Sequence, residues 1–416
     1  MRYLARTIDQ ALDELIAMAP AIAIDGPKGV GKSATAMQRA ARAWLLDDPD
    51  QRAQLEADPR FSTAPTGTLL IDEWQRLPEV WDTVRRQVDA GAPPGRFLLT
   101  GSATPRAGVD THSGAGRMVS LRMRPMALHE RDAAQPTVSL GGLIRGTHGP
   151  IIGQTAWTSG DYFQAIASSG FPGLMGAPER LRRAQLDSYL GRVIDRDLPE
   201  QGFAVRRPET LRRWLTAYAA ASSTTTSYSK ILDATTAGDG SQPAKTTTIT
   251  YRDLLTQIWI LDPVPGWTHS RNALGRLQQA PKHQLADPAL AARLLNLSGE
   301  LLAGPRGAAM AGPLFESLAT LTVRVAAQAA QARVGHLRTG NGDREIDLVV
   351  EGPEGQVVGI EVKLAAAVTD ADVRHLRWLR AQLPGDVVDL IILTTGQTAY
   401  RRSDGVAVVP MALLGA

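Results

Sequence analysis

Residues 26–33 of this 416-residue chain read Gly26-Pro27-Lys28-Gly29-Val30-Gly31-Lys32-Ser33. One glycine, four positions, then Gly-Lys-Ser is a spacing with a chemical meaning. Glycines let the backbone curl until successive N–H groups point inward at anionic oxygens. A helix starting near Lys32 adds the positive end of its dipole. In such a loop Lys32 reaches the β- and γ-phosphates of a nucleotide, and the Ser33 hydroxyl binds Mg²⁺. The apolar run AIAID (21–25) supplies the strand that must precede the loop. The plain alternative is a glycine turn joining strand to helix, which has no need of Lys-Ser at its end. The spacing therefore predicts a site for ATP with Mg²⁺, with all eight residues around the nucleotide.

A second group follows about one helix and one strand later. Leu69-Leu70-Ile71-Asp72-Glu73 is an apolar run ending in two acids. A strand with this ending places the Asp72 carboxylate beside the metal ion, and Glu73 can polarise the attacking water. Thr100, Gly101 and Ser102 close the next apolar run, where Thr100 or Ser102 can sense the γ-phosphate. Arg117, in the sequence GAGR, is a candidate transition-state arginine acting on a neighbouring subunit's nucleotide, which would require a homo-oligomer. Arg122 and Arg124 compete for that role, and an ordinary surface role remains open for all three.

The third group lies near the C-terminus. Asp347 sits on one arm of an expected hairpin and Glu361-Val362-Lys363 on the other. Glu361 and Lys363 are two residues apart, so both project from one face of the strand. The turn GPEG brings Asp347 near Glu361 across the ladder. Paired carboxylates suit a hard divalent cation, Mg²⁺ or Mn²⁺, and a neighbouring lysine can stabilise a crowded phosphate. Glu316, on the preceding helix, is a further acidic ligand. A solvated cross-strand pair remains the alternative. Against it stand the apolar neighbours of Glu361 and the scarcity of lysine, found only at positions 28, 32, 230, 245, 282 and 363.

Elements must position these groups. Hydrophobic residues make up 44% and charged residues 21%, enough apolar material for two or three domains and too much for a disordered chain or a coiled coil. Forty-five basic against 42 acidic residues leave +3, too small an excess to imply nucleic acid by itself. The absence of cysteine excludes disulfides and thiolate chemistry. The N-terminus reads as an amphipathic helix, not a leader, and no apolar run is long enough to span a membrane. A cytoplasmic location and no membrane partner are expected.

Along the first part, AIAID, a helix from Lys32 to about Leu45, TGTLLIDEW, a helix over LPEVWDTVRRQVDAG, GRFLLTGSA and GRMVSLRM alternate, which predicts a mostly parallel α/β sheet. Residues 132–155 are rich in Gly, Pro and Thr and read as a linker. From Ser159 to about Leu301 the pattern is mainly helical. Within it, residues 222–261 suggest a helix-turn-helix or winged-helix unit around a polar loop, 233–248. A buried helix over LFESLATLTVRVAAQAAQA, the hairpin 345–364, a helix and the strand VVDLIILTT then complete a small α/β domain. The divisions are 1–135, 136–305 and 306–416.

Taken in order, GPKGVGKS, LLIDEWQRLPEVW, GRFLLTGSA, GAGRMVSLRMRPMALHE, SSGFPGL, SYLGRVIDRDLP, QAPKHQLADPAL, GPLFESL and EIDLVV…GIEVK resemble a large prokaryotic family. Its members join an AAA+-like P-loop ATPase to a C-terminal domain of unknown function with a restriction-endonuclease-like core. The resemblance implies Walker A roles for Lys32 and Ser33, and Walker B roles for Asp72 and Glu73. It puts Thr100 or Ser102 at sensor 1 and Arg117 at the family's GR motif, here GAGR in place of LAGR. It also implies a PD-(D/E)xK signature at Asp347, Glu361 and Lys363, with Glu316 as the helix carboxylate.

Two functions follow from this reading. One is an ATPase coupled to a metal-dependent nuclease acting on double-stranded DNA. The other is an ATP-switched DNA- or protein-binding regulator, of defence or toxin–antitoxin type, with an inactive nuclease-like domain. Arg180, Arg182, Arg183, Arg206, Arg207, Arg212 and Arg213 would supply phosphate contacts in the second, diluted by Glu179, Asp187, Asp195 and Asp197. A P-loop kinase is disfavoured, since Asp-Glu at the end of the second strand suits the positioning of water.

Overall fold

A computed structural model describes residues 3–102, 115–131, 134–203, 205, 207–235, 244–268, 279–339 and 342–416. Arg206 and residues 236–243 of the polar loop lie outside the described residues. Helix α1 (Ile8–Ile16) leads into β1 (Ala21–Asp25). There follow α2 (Lys32–Met37), β2 (Arg42–Leu45), α3 (Pro49–Ala57), β3 (Leu69–Asp72), α4 (Glu79–Asp89), β4 (Phe97–Gly101) and β5 (Val119–Arg122). The five strands form one sheet in the order β2-β3-β4-β1-β5, every pairing parallel. β1, β3 and β4 are covered on both faces, which is why their sequences are continuous apolar runs and not alternating ones.

The expected helix from Lys32 to about Leu45 stops at Met37. Residues 42–45 instead pair with β3, Arg42 opposite Leu69 and Leu45 opposite Asp72. Trp44 explains the change. As a strand residue it is buried, its ring tilted against Phe61 at 5.8 Å between centroids. Burial of a large aromatic outweighs the few tenths of a kcal/mol by which helix propensities differ.

The segment 132–155, expected as a linker, contributes β6 (Val138–Ser139), α5 (Leu140–Ile144) and β7 (Gly153–Gln154). These join the C-terminal part of the chain and not the helices that follow them. The apolar residues Val138, Leu140, Leu143 and Ile144 are buried, a signal that the surrounding Gly and Thr residues obscure.

The middle is helical, as expected: α6 (Ser159–Ser168), α7 (Glu179–Arg192), a π-helical turn over Val193–Asp197, α8 (Leu198–Glu200), α9 (Pro208–Ala220), α10 (Tyr228–Thr235), α11 (Lys245–Gln257), α12 (Pro288–Leu294) and α13 (Gly299–Ala303). α10 and α11 flank the polar loop.

The long helix α14 (Ala308–Ala329) is buried along most of its length. It precedes β8 (Arg333–Arg338), β9 (Glu345–Glu351), β10 (Val357–Lys363), α15 (Asp370–Gln382), β11 (Val387–Thr394), β12 (Thr398–Arg401), β13 (Ala407–Pro410) and β14 (Leu414–Gly415). The seven-stranded sheet runs β7-β12-β13-β11-β10-β9-β8. The expected hairpin is present, antiparallel, with Ile360 opposite Leu348. β6 pairs with β14 as a separate two-stranded element. Ile8 of α1, Tyr162 of α6, Leu314 of α14 and Ile360 of β10 belong to one continuous buried cluster, so the three parts of the chain share a core.

Candidate nucleotide site and a carboxylate–lysine cluster

β1, β3 and β4 lie side by side and parallel, so Asp25, Asp72 and Thr100 emerge at one edge of the first sheet. The glycine-rich turn leaves from that edge. A Cβ on Gly26 would stand 2.1 Å from the Met123 carbonyl oxygen, so only glycine fits there. Gly31 adopts φ 99°, which glycine tolerates at little cost, and α2 starts at the next residue. The Lys32 ammonium turns back into the loop and donates to the carbonyls of Gly26 (2.8 Å) and Pro27 (2.9 Å). Burial lowers it to about 8, against the opposing pull of Glu73, Asp72 and Asp25.

Ser33 Oγ donates to Asp72 Oδ1 at 2.6 Å, and the buried Thr100 hydroxyl donates to the same oxygen. Glu73, in left-handed backbone at φ 55°, is turned toward Ser102 Oγ (3.4 Å), with the Gln75 amide donating to it. A serine hydroxyl beside a carboxylate, next to a buried ammonium, is an all-oxygen donor set suited to Mg²⁺. Residues 26–33, with the Lys28 side chain excepted, are therefore brought together with Asp72, Glu73, Thr100 and Ser102.

Two contacts hold the loop from outside: Arg6, which sequence reasoning missed, and Lys28, which it expected around the nucleotide. Arg6 donates to the Val30 carbonyl (2.8 Å) and to the Arg124 carbonyl (2.8 Å), and pairs with buried Glu130 at 3.2 Å. Lys28 faces away from the loop's interior. Its ammonium reaches Asp197 at 2.5 Å and Glu200 at 3.4 Å, at the π-helical turn that ends α7. Burial pulls the Lys28 ammonium down, and the two carboxylates more than reverse it. The Tyr189 hydroxyl donates to the Lys28 carbonyl at 3.2 Å.

Arg117 is placed elsewhere. It precedes β5, whose Val119 pairs with Ile22 near the start of β1, so it sits at the sheet edge opposite the loop. There it pairs with Asp89, at the end of α4, at 2.6 Å. Its competitors are also engaged. Arg122 and Arg124, with Arg324 of α14, converge on the buried carboxylate of Asp262 at 3.0, 2.8 and 2.8 Å.

In the C-terminal sheet, Asp347 lies on β9 and Glu361 and Lys363 on β10, as the hairpin predicts. Asp347 Oδ2 accepts the Val362 N–H at 2.9 Å, and Glu361 pairs with Lys363 at 3.4 Å. Burial and the Asp347 charge push the Glu361 carboxyl up to about 9. Burial and Asp347 push Glu316 up to about 8. Burial raises Asp347 too, but the Lys282 charge and the hydrogen bonds from Lys282 and Val362 hold it below the usual range.

Lys282 is the residue the hairpin did not announce. Its ammonium, 1% exposed, lies 2.9 Å from Glu316 Oε1, 2.9 Å from Asp347 Oδ1 and 3.3 Å from Glu345 Oε1. The expected metal set of Glu316, Asp347 and Glu361 is thus not assembled. Lys282 stands between Glu316 and Asp347, while Glu361 lies against both Asp347 and Lys363. Among the described residues, no group of three or more His, Asp or Glu is placed to hold a metal ion. The rarity of lysine was the signal available in the sequence.

Residues 19–131 match the family model described as AAA domain. The first third of the chain is thus similar to AAA domains. Residues 159–301 match a domain of unknown function, DUF8612, and residues 311–414 another, DUF4143. Uncharacterized proteins of Mycobacterium tuberculosis and Mycobacterium bovis are each 27% identical over 403 residues, covering 94% of this chain and 80% of theirs. Among solved structures, the Walker-type ATPase of Pyrococcus abyssi aligns over 69% of this chain and 94% of its own, at 14% identity and TM-score 0.40. RuvB of Thermotoga maritima aligns over 62% and 89%, at 18% identity and TM-score 0.27.

The AAA domain contains the whole glycine-rich loop and both strand-end acids. Lys28 and the Arg122–Arg124 pair are among its contacts with the remainder of the chain. Among the described residues, no helix is long and apolar enough to cross a membrane.

Proposed function

We propose that the chain is a Mg²⁺-dependent ATP hydrolase that works as a switch, its nucleotide state transmitted to the helical middle, which contacts a DNA or protein partner. The observation that carries this reading is the convergence of the Ser33 and Thr100 hydroxyls on one Asp72 oxygen, beside Lys32 and Glu73. The N–H groups of residues 26–33 would cradle the phosphates, and Lys32 would leave its two carbonyls for the β- and γ-phosphates. Ser33 and Asp72 would hold Mg²⁺, which supplies charge neutralisation on the phosphates. Glu73 would orient water, and Thr100 or Ser102 would sense the γ-phosphate. Lys28, bonded to Asp197 and Glu200, is the route from loop to helices. Arg117 would serve only a neighbouring subunit's nucleotide, given its place on the far edge of the sheet.

The competing reading, a metal-dependent DNA nuclease of PD-(D/E)xK type, has the convergence of Asp347, Glu361 and Lys363 in its favour and the position of Lys282 against it. A cleavage assay on linear and circular DNA with Mg²⁺ or Mn²⁺, with and without ATP, separates the two. The switch predicts intact DNA throughout. Cutting that disappears in Asp347→Ala would replace it with the nuclease. DNA as partner is tested by binding at increasing salt, where arginine–phosphate contacts predict a steep loss of affinity.

A further inference from the structure

We propose that the Lys282 ammonium takes the place of a divalent cation among Glu316, Glu345 and Asp347, making the C-terminal carboxylate cluster a metal-free ion joint between the helical middle and the C-terminal sheet. An ammonium has three N–H donors and no acceptor. Three carboxylate oxygens from two elements surround it: Glu316 from α14, Glu345 and Asp347 from β9, at 2.9, 3.3 and 2.9 Å. A Mg²⁺-sized ion draws oxygens to about 2.1 Å. An ion bound by Glu316 and Asp347 would have to occupy the space Nζ fills, and two cations do not share it. The second oxygen of Asp347 is already committed to the Val362 N–H at 2.9 Å.

Lys282 is not a surface side chain that has drifted inward. Its backbone is fixed on both sides, its N–H donating to Val264 O and its carbonyl accepting from Val264 N–H, each at 2.9 Å. The next residue, His283, donates its N–H to Thr224 O at 2.9 Å and is itself buried. The ammonium is thus delivered by the backbone of the helical middle. Removing it would leave three carboxylates facing a vacated, buried position, which is a description of a cation site.

The experiment is Mn²⁺ titration of the nucleotide-free full chain, followed by the electron paramagnetic resonance of free Mn²⁺, in an Asp72→Asn background that silences the ATP site. The parent is expected to show no saturable binding that a further Asp347→Asn removes. Lys282→Met is expected to acquire such binding, at least about tenfold tighter than any in the parent, and to melt at a higher temperature when Mn²⁺ is added. Saturable Mn²⁺ binding in the parent that Asp347→Asn abolishes would overturn the proposal. So would a folded Lys282→Met protein that takes up no metal. Should Lys282→Met fail to fold, the parent comparison with and without Asp347→Asn decides alone. ATP hydrolysis by the Asp72-bearing protein is unaffected by either result, so failure here is distinguishable from failure of the ATPase reading.

Discussion

At Lys32, burial and charge pull in opposite directions, and burial prevails, leaving the ammonium at about 8 in the nucleotide-free protein. Phosphate oxygens favour the charged form. Above pH 8, binding ATP must therefore take up a proton, and affinity should fall by up to about tenfold per pH unit. A fluorescent-nucleotide titration between pH 7 and 9.5 checks this, and a flat profile would contradict it. Glu361 presents the reverse case. Its folded value of about 9 stands far above the ordinary 4.5, so the native state keeps a proton that the unfolded chain releases. Stability should then fall as pH rises between these values, by at most about 1.4 kcal/mol per pH unit for this group. Glu361→Gln should flatten the slope and raise the unfolding temperature at pH 8 more than at pH 5; equal shifts at both would contradict the account. The meeting of Lys32, Ser33 and Asp72 was legible because motif spacing fixes it. That of Lys282 was not, because its partners Glu316 and Asp347 are 34 and 65 residues away.

Among the elements, the glycine-rich loop is held by what surrounds it. Met123 packs its carbonyl against Gly26, and because the neighbour is backbone it cannot yield. Gly26→Ala should cost roughly 3 kcal/mol or more of stability, read by denaturant unfolding. A change below 1 kcal/mol, on the scale of a tolerated surface substitution, would show that the contact relaxes. On the loop's other side, Asp197 holds Lys28 out of the loop's interior at the π-helical turn, an irregularity that often marks function. Asp197→Asn should free Lys28 to meet the phosphates and lower KM for ATP several-fold while weakening transmission to the helices. A raised KM would mean the pair only supports the fold. Strands β1, β3 and β4 were readable because burial on both faces leaves an unbroken apolar run. β2 was misread as helix because its burial depends on Trp44 meeting Phe61, a contact local propensity does not encode. β6 and β7 were hidden in a glycine-rich stretch whose pairing partners lie near the C-terminus.

Over the whole molecule, one core runs from α1 through the middle helices to the C-terminal sheet, so the sequence's three divisions are not three independent packing units. Asp262 sits at their junction with Arg122, Arg124 and Arg324, and the three guanidinium groups hold its carboxyl well below the usual range despite complete burial. Asp262→Ala would strand three partly or fully buried cations and should destabilise the protein by about 3–5 kcal/mol. Calorimetry should show the loss in a single main transition, and an unchanged unfolding temperature would mean the arginines find other partners. The account rests most heavily on the edge of the first sheet, where Glu73 stands beside the Asp72 carboxylate and the glycine-rich loop. Its most direct test is steady-state ATP hydrolysis by the full chain in Mg²⁺, compared with Glu73→Gln. Mg²⁺-dependent hydrolysis that falls at least about 100-fold in Glu73→Gln, with ATP binding retained, is the predicted result. Equal hydrolysis in the two proteins, or none in the wild type with Mg²⁺ present, would contradict it.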